Sequence, residues 1–260
     1  MSVMTPGAAH VTAQPQVNIS KATFVAPAST VKSLPHNFSF KNLYIKFNQY
    51  FSFLLVYPIF SLFFKVKISG RENLAGVNAP LIIAANHIGW YDSFLFRMLV
   101  SGHSRLLPLR FMGTKIFLHF GLNFFYSIGI IPLAYKIFGV FDVVRGEGLE
   151  KALVTPKQIL AENGVVAIYP EGKMVLKGGI APFKRGVSAL SLQTGVPVLP
   201  VAFRYHLPQD LLAHGGVKAI RGRLSIKVGK LTKIPANLSY EEGASYLQKI
   251  IEKLNEEAGS

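Results

Sequence analysis

His87 and Asp92 are separated by four residues, and together they hold the parts of a general base. An imidazole that donates from one nitrogen to a carboxylate is fixed in one tautomer. Its other nitrogen is then free to take a proton from an incoming hydroxyl, while the carboxylate stabilises the imidazolium that forms. On one continuous helix a five-residue step sets two side chains about 140° apart, so this pair can meet only across a break in the backbone. The chain supplies such a break. Leu81-Ile82-Ile83-Ala84-Ala85 reads as a buried strand, Asn86-His87 follows, Gly89 permits a turn, and Asp92-Ser93 opens a helix running to about Val100. For His87 taken alone, a capped turn is the plainer reading, because short spacings of this kind recur by chance.

Other chemistries find fewer parts. There is no cysteine, which removes a thiol nucleophile, disulfides and thiolate metal sites. No G-x-S-x-G elbow occurs, and Arg185-Gly186-Val187-Ser188-Ala189-Leu190 does not qualify as one. No H-E-x-x-H spacing is present, so no metal is expected.

Four further blocks follow the first in order. They are Phe141-Asp142-Val143-Val144-Arg145-Gly146, Tyr169-Pro170-Glu171-Gly172-Lys173, Phe183-Lys184-Arg185-Gly186 and Val196-Pro197-Val198-Leu199-Pro200-Val201. Glu171 comes just after a strand-like run, at the carboxyl edge where α/β proteins tend to place ligands. A helix cap is the alternative for it, as a surface pair with Glu147 is for Arg145.

The series resembles the glycerolipid acyltransferase family, typified by the lysophosphatidic acid acyltransferases, over roughly residues 68–230. The resemblance implies that His87 is the general base and Asp92 its orienting partner. It implies that Arg145, Glu171 and Gly172 help to bind the acceptor's polar head, and that Pro197 and Pro200 shape the substrate site. Many members continue the third block as Glu-Gly-Thr-Arg-Ser, whereas this chain reads Glu171-Gly172-Lys173-Met174-Val175. Lys173, Lys177 or Lys184 is then left to supply the positive charge, and an ammonium is less directional toward phosphate than a guanidinium. The resemblance also implies direct transfer from a thioester of coenzyme A or acyl carrier protein, with no cofactor and no covalent acyl-enzyme.

The surrounding pattern of strands alternating with helices predicts an α/β sandwich, and the resemblance implies a mixed sheet flanked by helices, similar to that of the glycerol-phosphate acyltransferases. Strands are expected near 106–112, 165–169, 197–203 and 223–229. Thr155-Pro156-Lys157-Gln158 reads as a helix start, with the helix ending at Asn163-Gly164. A further helix is expected near 185–194. Ser239 and Glu242 form a capping box for a last helix whose apolar face holds Ala244, Leu247, Ile250, Ile251 and Leu254. The aromatic, Gly-interrupted stretch 116–141 reads as core or as the wall of an acyl channel.

Composition points to a surface for these elements to work on. Half of the 260 residues are hydrophobic, yet the formal charge is +15. Such a chain fits an anionic membrane better than nucleic acid, whose binders are more polar and carry recognisable motifs. Residues 1–71 contain no acid, and the stretch 204–233 is also basic. Residues 1–36 read as a flexible tail, 37–67 as a membrane-associating helical segment and 68–260 as the acyltransferase domain. The apolar run 51–64 is 14 residues long and holds Pro58, too short for a span of about 20 residues. It therefore reads as a broken, interfacial or half-inserted helix, with a buried core helix as the alternative.

The expected function is transfer of a fatty acyl chain from a thioester to a hydroxyl of a lyso-lipid, foremost 1-acyl-glycerol-3-phosphate. Another lipid acceptor, or a non-catalytic lipid-binding protein, is the rival reading. The expected location is a membrane, at its cytoplasmic face, with organelle targeting left open.

Overall fold

Five consecutive apolar residues, Leu81–Ala85, have no polar side chain to keep at a surface, and they form the fully buried strand in the middle of the sheet. The computed structural model describes residues 39–89, 92–113, 127–143, 146, 148–175, 179–206 and 222–259. In chain order its elements are α1 (Phe40–Phe63), β1 (Phe64–Ser69), β2 (Leu81–Ala85), α2 (Asp92–Leu99), β3 (Leu109–Gly113), α3 (Ile130–Phe138), β4 (Val140–Asp142), α4 (Leu149–Ala161), β5 (Val165–Ile168), α5 (Gly186–Thr194), β6 (Val198–Tyr205), β7 (Gly222–Val228) and α6 (Tyr240–Glu257). The expected tail over residues 1–36 lies outside the described residues.

The strands form one mixed sheet in the order β1-β7-β6-β2-β5-β3-β4. Every pairing is parallel except β6 with β7. Ala84 is in register with Ile168 on one side and Pro200 on the other. The carboxyl ends of β2, β5 and β6 therefore reach the same edge. The mixed α/β architecture expected from the sequence is the one observed.

Side chains alternate across the sheet as strand geometry requires. Leu81, Ile83, Leu199, Val201 and Phe203 pack with Leu95, Phe96 and Leu99 of α2. Ile82, Ala84, Val198 and Ala202 pack with helices α4, α5 and α6 on the opposite face. Each fully buried Leu, Ile or Phe contributes about 1.5–3 kcal/mol, so these two layers fix where the strand ends stand. Ser239 and Glu242 cap α6 reciprocally, with both capping-box bonds present.

Two expectations are corrected. Helix α4 starts at Leu149, six residues before Thr155, and Pro156 lies inside it. The buried face Leu153, Pro156, Ile159 and Leu160 runs through the proline, so packing outweighs the missing N–H. Helix α1 is likewise unbroken over 24 residues, with Pro58 inside it on the exposed side. Gln49 anchors it to the domain by donating from Nε2 to the carbonyls of Leu109 (2.7 Å) and Phe138 (2.9 Å) and accepting at Oε1 from the Leu109 N–H (3.0 Å). Phe53 packs on Phe94 of α2, and the Arg97 guanidinium lies 4.5 Å from the Phe53 ring centre. α1 passes directly into β1, so the expected boundary at 67/68 falls within that strand.

Candidate active site

The last residue of β2 is followed by Asn86, a fully buried amide that bonds to both backbone groups of Phe203. Its Nδ2 donates to the carbonyl (2.9 Å) and its Oδ1 accepts from the N–H (2.8 Å). This clamps the end of β2 to β6 and sets the start of the His87 loop. His87 Nδ1 then lies 2.8 Å from Asp92 Oδ2. The same oxygen accepts from the N–H groups of Ile88 (2.7 Å) and Gly89 (2.9 Å), and Oδ1 accepts from the Tyr205 hydroxyl (2.6 Å).

Asp92 is fully buried at the first turn of α2, and a carboxylate in such a place needs donors on both oxygens. It has four. Because a carboxylate only accepts, the proton between it and His87 belongs to Nδ1. In the neutral imidazole Nε2 then carries the free lone pair. The His87 side chain is 21% exposed while that of Asp92 is 0%, so the imidazole is the member of the pair that a substrate can reach. The Tyr169 ring stacks on the imidazole with centroids 4.0 Å apart and planes 14° apart. Burial, reinforced by the Asp92 charge, holds the Tyr169 phenol well above its ordinary value, which keeps this face neutral.

Glu171 follows β5 and is buried. Its Oε1 accepts from the His87 backbone N–H at 2.7 Å and its Oε2 from the Ala181 N–H at 2.8 Å. The Val175 N–H donates to the His87 carbonyl at 2.8 Å. The geometry gives Glu171 a loop-holding position, each oxygen accepting one backbone N–H. Burial raises its carboxyl pKa above the usual 4.5, against the pull of the two N–H bonds and of His87.

A carboxyl so shifted binds its proton longer in the folded state than in the unfolded chain. Folding stability should therefore fall as pH rises through the window that opens at 4.5. Glu171→Gln removes this slope. The amide keeps one accepting oxygen and sets an N–H against the other donor, a loss of about 1–3 kcal/mol. Chemical denaturation across a pH series should show the variant less stable throughout, with a gap that narrows as pH rises. A widening gap would contradict the assignment.

Gly172 has φ +65°, and a Cβ there would lie 2.9 Å from Lys184 Cε and Nζ. A side chain at 172 would displace the lysine, whose N–H donates to the Pro170 carbonyl at 2.8 Å. Gly172, exposed Lys173 and exposed Lys184 thus gather on the loop that Glu171 ties to His87. Pro200 does not join them. It is buried in β6 beside Ala84 and accepts at its carbonyl from the Gly229 N–H. It shares the parity of Val198 and Ala202 and so lies on the face away from α2. Arg145 and Lys177 lie outside the described residues, and Arg185 pairs with Glu241 of α6. Three contributors were not assigned from the sequence: Asn86, Tyr169 and Tyr205. Only Tyr205 left a signal, since it shares the parity of Leu199, Val201 and Phe203 and so points to the α2 side.

The family model described as Acyltransferase matches residues 65–204. The chloroplastic 1-acyl-sn-glycerol-3-phosphate acyltransferase BAT2 of Brassica napus is 27% identical over 173 residues, covering 64% of this chain and 45% of that protein. A second such chloroplastic enzyme, LPAT1 of Arabidopsis thaliana, is 28% identical over 174 residues, covering 64% and 44%. The chain thus spans less than half the length of these relatives. The crystal structure of the 1-acyl-sn-glycerophosphate acyltransferase PlsC from Thermotoga maritima superposes with a TM-score of 0.54 at 23% identity, covering 82% of this chain and 78% of that one; the likeness is one of fold. The matched span runs from β1 into β6 and carries both His87 and Asp92. The chain belongs to the Acyltransferase family.

Proposed function

We propose that this protein transfers a fatty acyl chain from a thioester, of coenzyme A or of acyl carrier protein, to the free hydroxyl of a lyso-lipid, with 1-acyl-glycerol-3-phosphate as the foremost acceptor. The observation that carries this reading is the imidazole held by a buried carboxylate with its second nitrogen open. His87 Nε2 takes the proton of the acceptor hydroxyl as its oxygen attacks the thioester carbonyl. Collapse of the tetrahedral adduct breaks the C–S bond, and the proton leaves with the thiol. The names of the relatives favour the lysophosphatidate acceptor. Lys173 and Lys184 are the described cations beside the dyad loop that suit its phosphate, in place of the arginine that Met174 replaces. Incubation with labelled oleoyl-CoA, and in parallel with oleoyl-acyl carrier protein, tests the reading. Labelled phosphatidate from either donor supports it, and its absence with both contradicts it.

The site is best served at a membrane surface. No described helix is long and apolar enough to cross a membrane. Yet α1 leaves Leu54, Leu55, Ile59 and Leu62 more than half exposed, and Lys65 and Lys67 follow it directly. Each leucine that enters the interfacial layer contributes about 1.5–3 kcal/mol. Leu55→Ser combined with Leu62→Ser should therefore weaken association with anionic vesicles by roughly a hundred-fold or more. Undiminished co-sedimentation of that variant would remove α1 from the membrane contact.

A further inference from the structure

The three bonds to Asp92 Oδ2 all come from residues of its own loop, His87, Ile88 and Gly89. The bond to Oδ1 comes from β6, 113 residues further along the chain. A carboxylate turns easily about its last torsion, whose preference is broad and two-fold. Local donors alone move with the loop. A donor fixed in the central sheet sets the carboxylate's rotation against an immobile frame.

Tyr205 is such a donor. It is 9% exposed and packs in the α2-side core with Phe203 and Phe96. Space for its hydroxyl is made at Gly89, where a Cβ would lie 2.8 Å from Tyr205 Oη and 3.5 Å from Asp92 Oδ1. The glycine of the dyad loop and the tyrosine of β6 are therefore one fitted pair: the missing side chain of the first admits the hydroxyl of the second.

We infer that Tyr205 is a positioning residue for the transfer reaction, acting through Asp92. It rests on the dyad reading above. By holding Oδ1, it keeps Oδ2 in line with His87 Nδ1, so that Nε2 points outward with its lone pair free. It also satisfies a buried anionic oxygen that would otherwise lack a partner. Its hydroxyl is spent on Asp92 inside the fold, so the effect belongs in turnover and not in substrate binding.

Tyr205→Phe removes the hydroxyl and leaves the ring in the core. In the full-length protein, with oleoyl-CoA and lysophosphatidate, turnover should fall about 10- to 100-fold, short of losing the carboxylate itself. KM for both substrates should stay within about two-fold. In protein labelled with 15N-histidine, the Nδ1–H resonance that disappears in His87→Ala should broaden or shift in Tyr205→Phe. Gly89→Ala is the second variant, since its methyl displaces the hydroxyl without removing it; it should slow turnover in the same direction. Wild-type turnover in Tyr205→Phe, or a loss matched by the loss of folded protein with an unchanged Nδ1–H signal, overturns the inference. If His87→Ala is inactive while Tyr205→Phe is unimpaired, this inference alone falls; if His87→Ala retains transfer, the dyad reading falls with it.

Discussion

Replacement of His87 by alanine is expected to slow acyl transfer by a factor of about 10²–10⁴, the range set by losing a positioned general base. The loss should appear in turnover, because the imidazole acts on a proton in flight and holds no described part of the substrate. The fold should survive. Asp92 keeps three donors after the imidazole is gone, from Ile88, Gly89 and Tyr205, so no buried carboxylate oxygen is stranded. What is lost is the Nδ1 bond to Asp92 and one stacked contact with Tyr169, the stack contributing about 0.5–1.5 kcal/mol for a ring pair. Circular dichroism and a thermal melt should therefore show a folded protein with a midpoint a few degrees lower, beside an almost silent transfer assay. A folded variant with near wild-type transfer would show that His87 is not the general base.

Asp92→Asn is expected to have a comparable effect, a fall of about 10³–10⁴ in turnover, for a different reason. The amide is nearly the same shape. With its oxygen in the place of Oδ2 it still accepts from Ile88 and Gly89, and its nitrogen can donate to the Tyr205 hydroxyl, which accepts as readily as it donates. The protein should fold, but the negative charge that stabilises the imidazolium is gone. In the flipped orientation the amide N–H faces His87 Nδ1, drives the proton to Nε2 and removes the lone pair that the acceptor hydroxyl needs. Either orientation disables the base. Steady-state rates measured beside a melting curve separate this from unfolding; a folded Asp92→Asn protein with near wild-type turnover would show that the carboxylate serves the fold and not the reaction.

The dyad was legible in the sequence because it lies within six consecutive residues between a strand pattern and a helix start. The order of the central elements was legible for the same reason: 81–85 and 165–168 are short, wholly apolar and bounded by turn residues, which is what a strand buried on both faces requires. Long-range partners were not. Tyr205 reaches Asp92, and Asn86 reaches Phe203, only after β2 and β6 pair in register, and pairing leaves no trace in local periodicity. The loop-holding bonds of Glu171 were not legible either, because the His87 and Ala181 N–H groups that its oxygens accept from are backbone atoms with no residue signature. Proline was over-read as punctuation: Pro58 and Pro156 both lie inside helices whose neighbouring side chains are anchored well enough to tolerate one missing bond.

The most direct measurement is the fate of the acyl group from labelled oleoyl-CoA and, separately, from oleoyl-acyl carrier protein. It is offered to lysophosphatidate, to other lysophospholipids and to water on vesicles, with wild type and His87→Ala side by side and the products identified by mass. The account predicts labelled phosphatidate from the wild type, formed directly with release of free thiol, and none above background from the variant. Wild-type protein that is folded and vesicle-bound yet acylates no lipid hydroxyl, or a variant that acylates as fast as wild type, would contradict it.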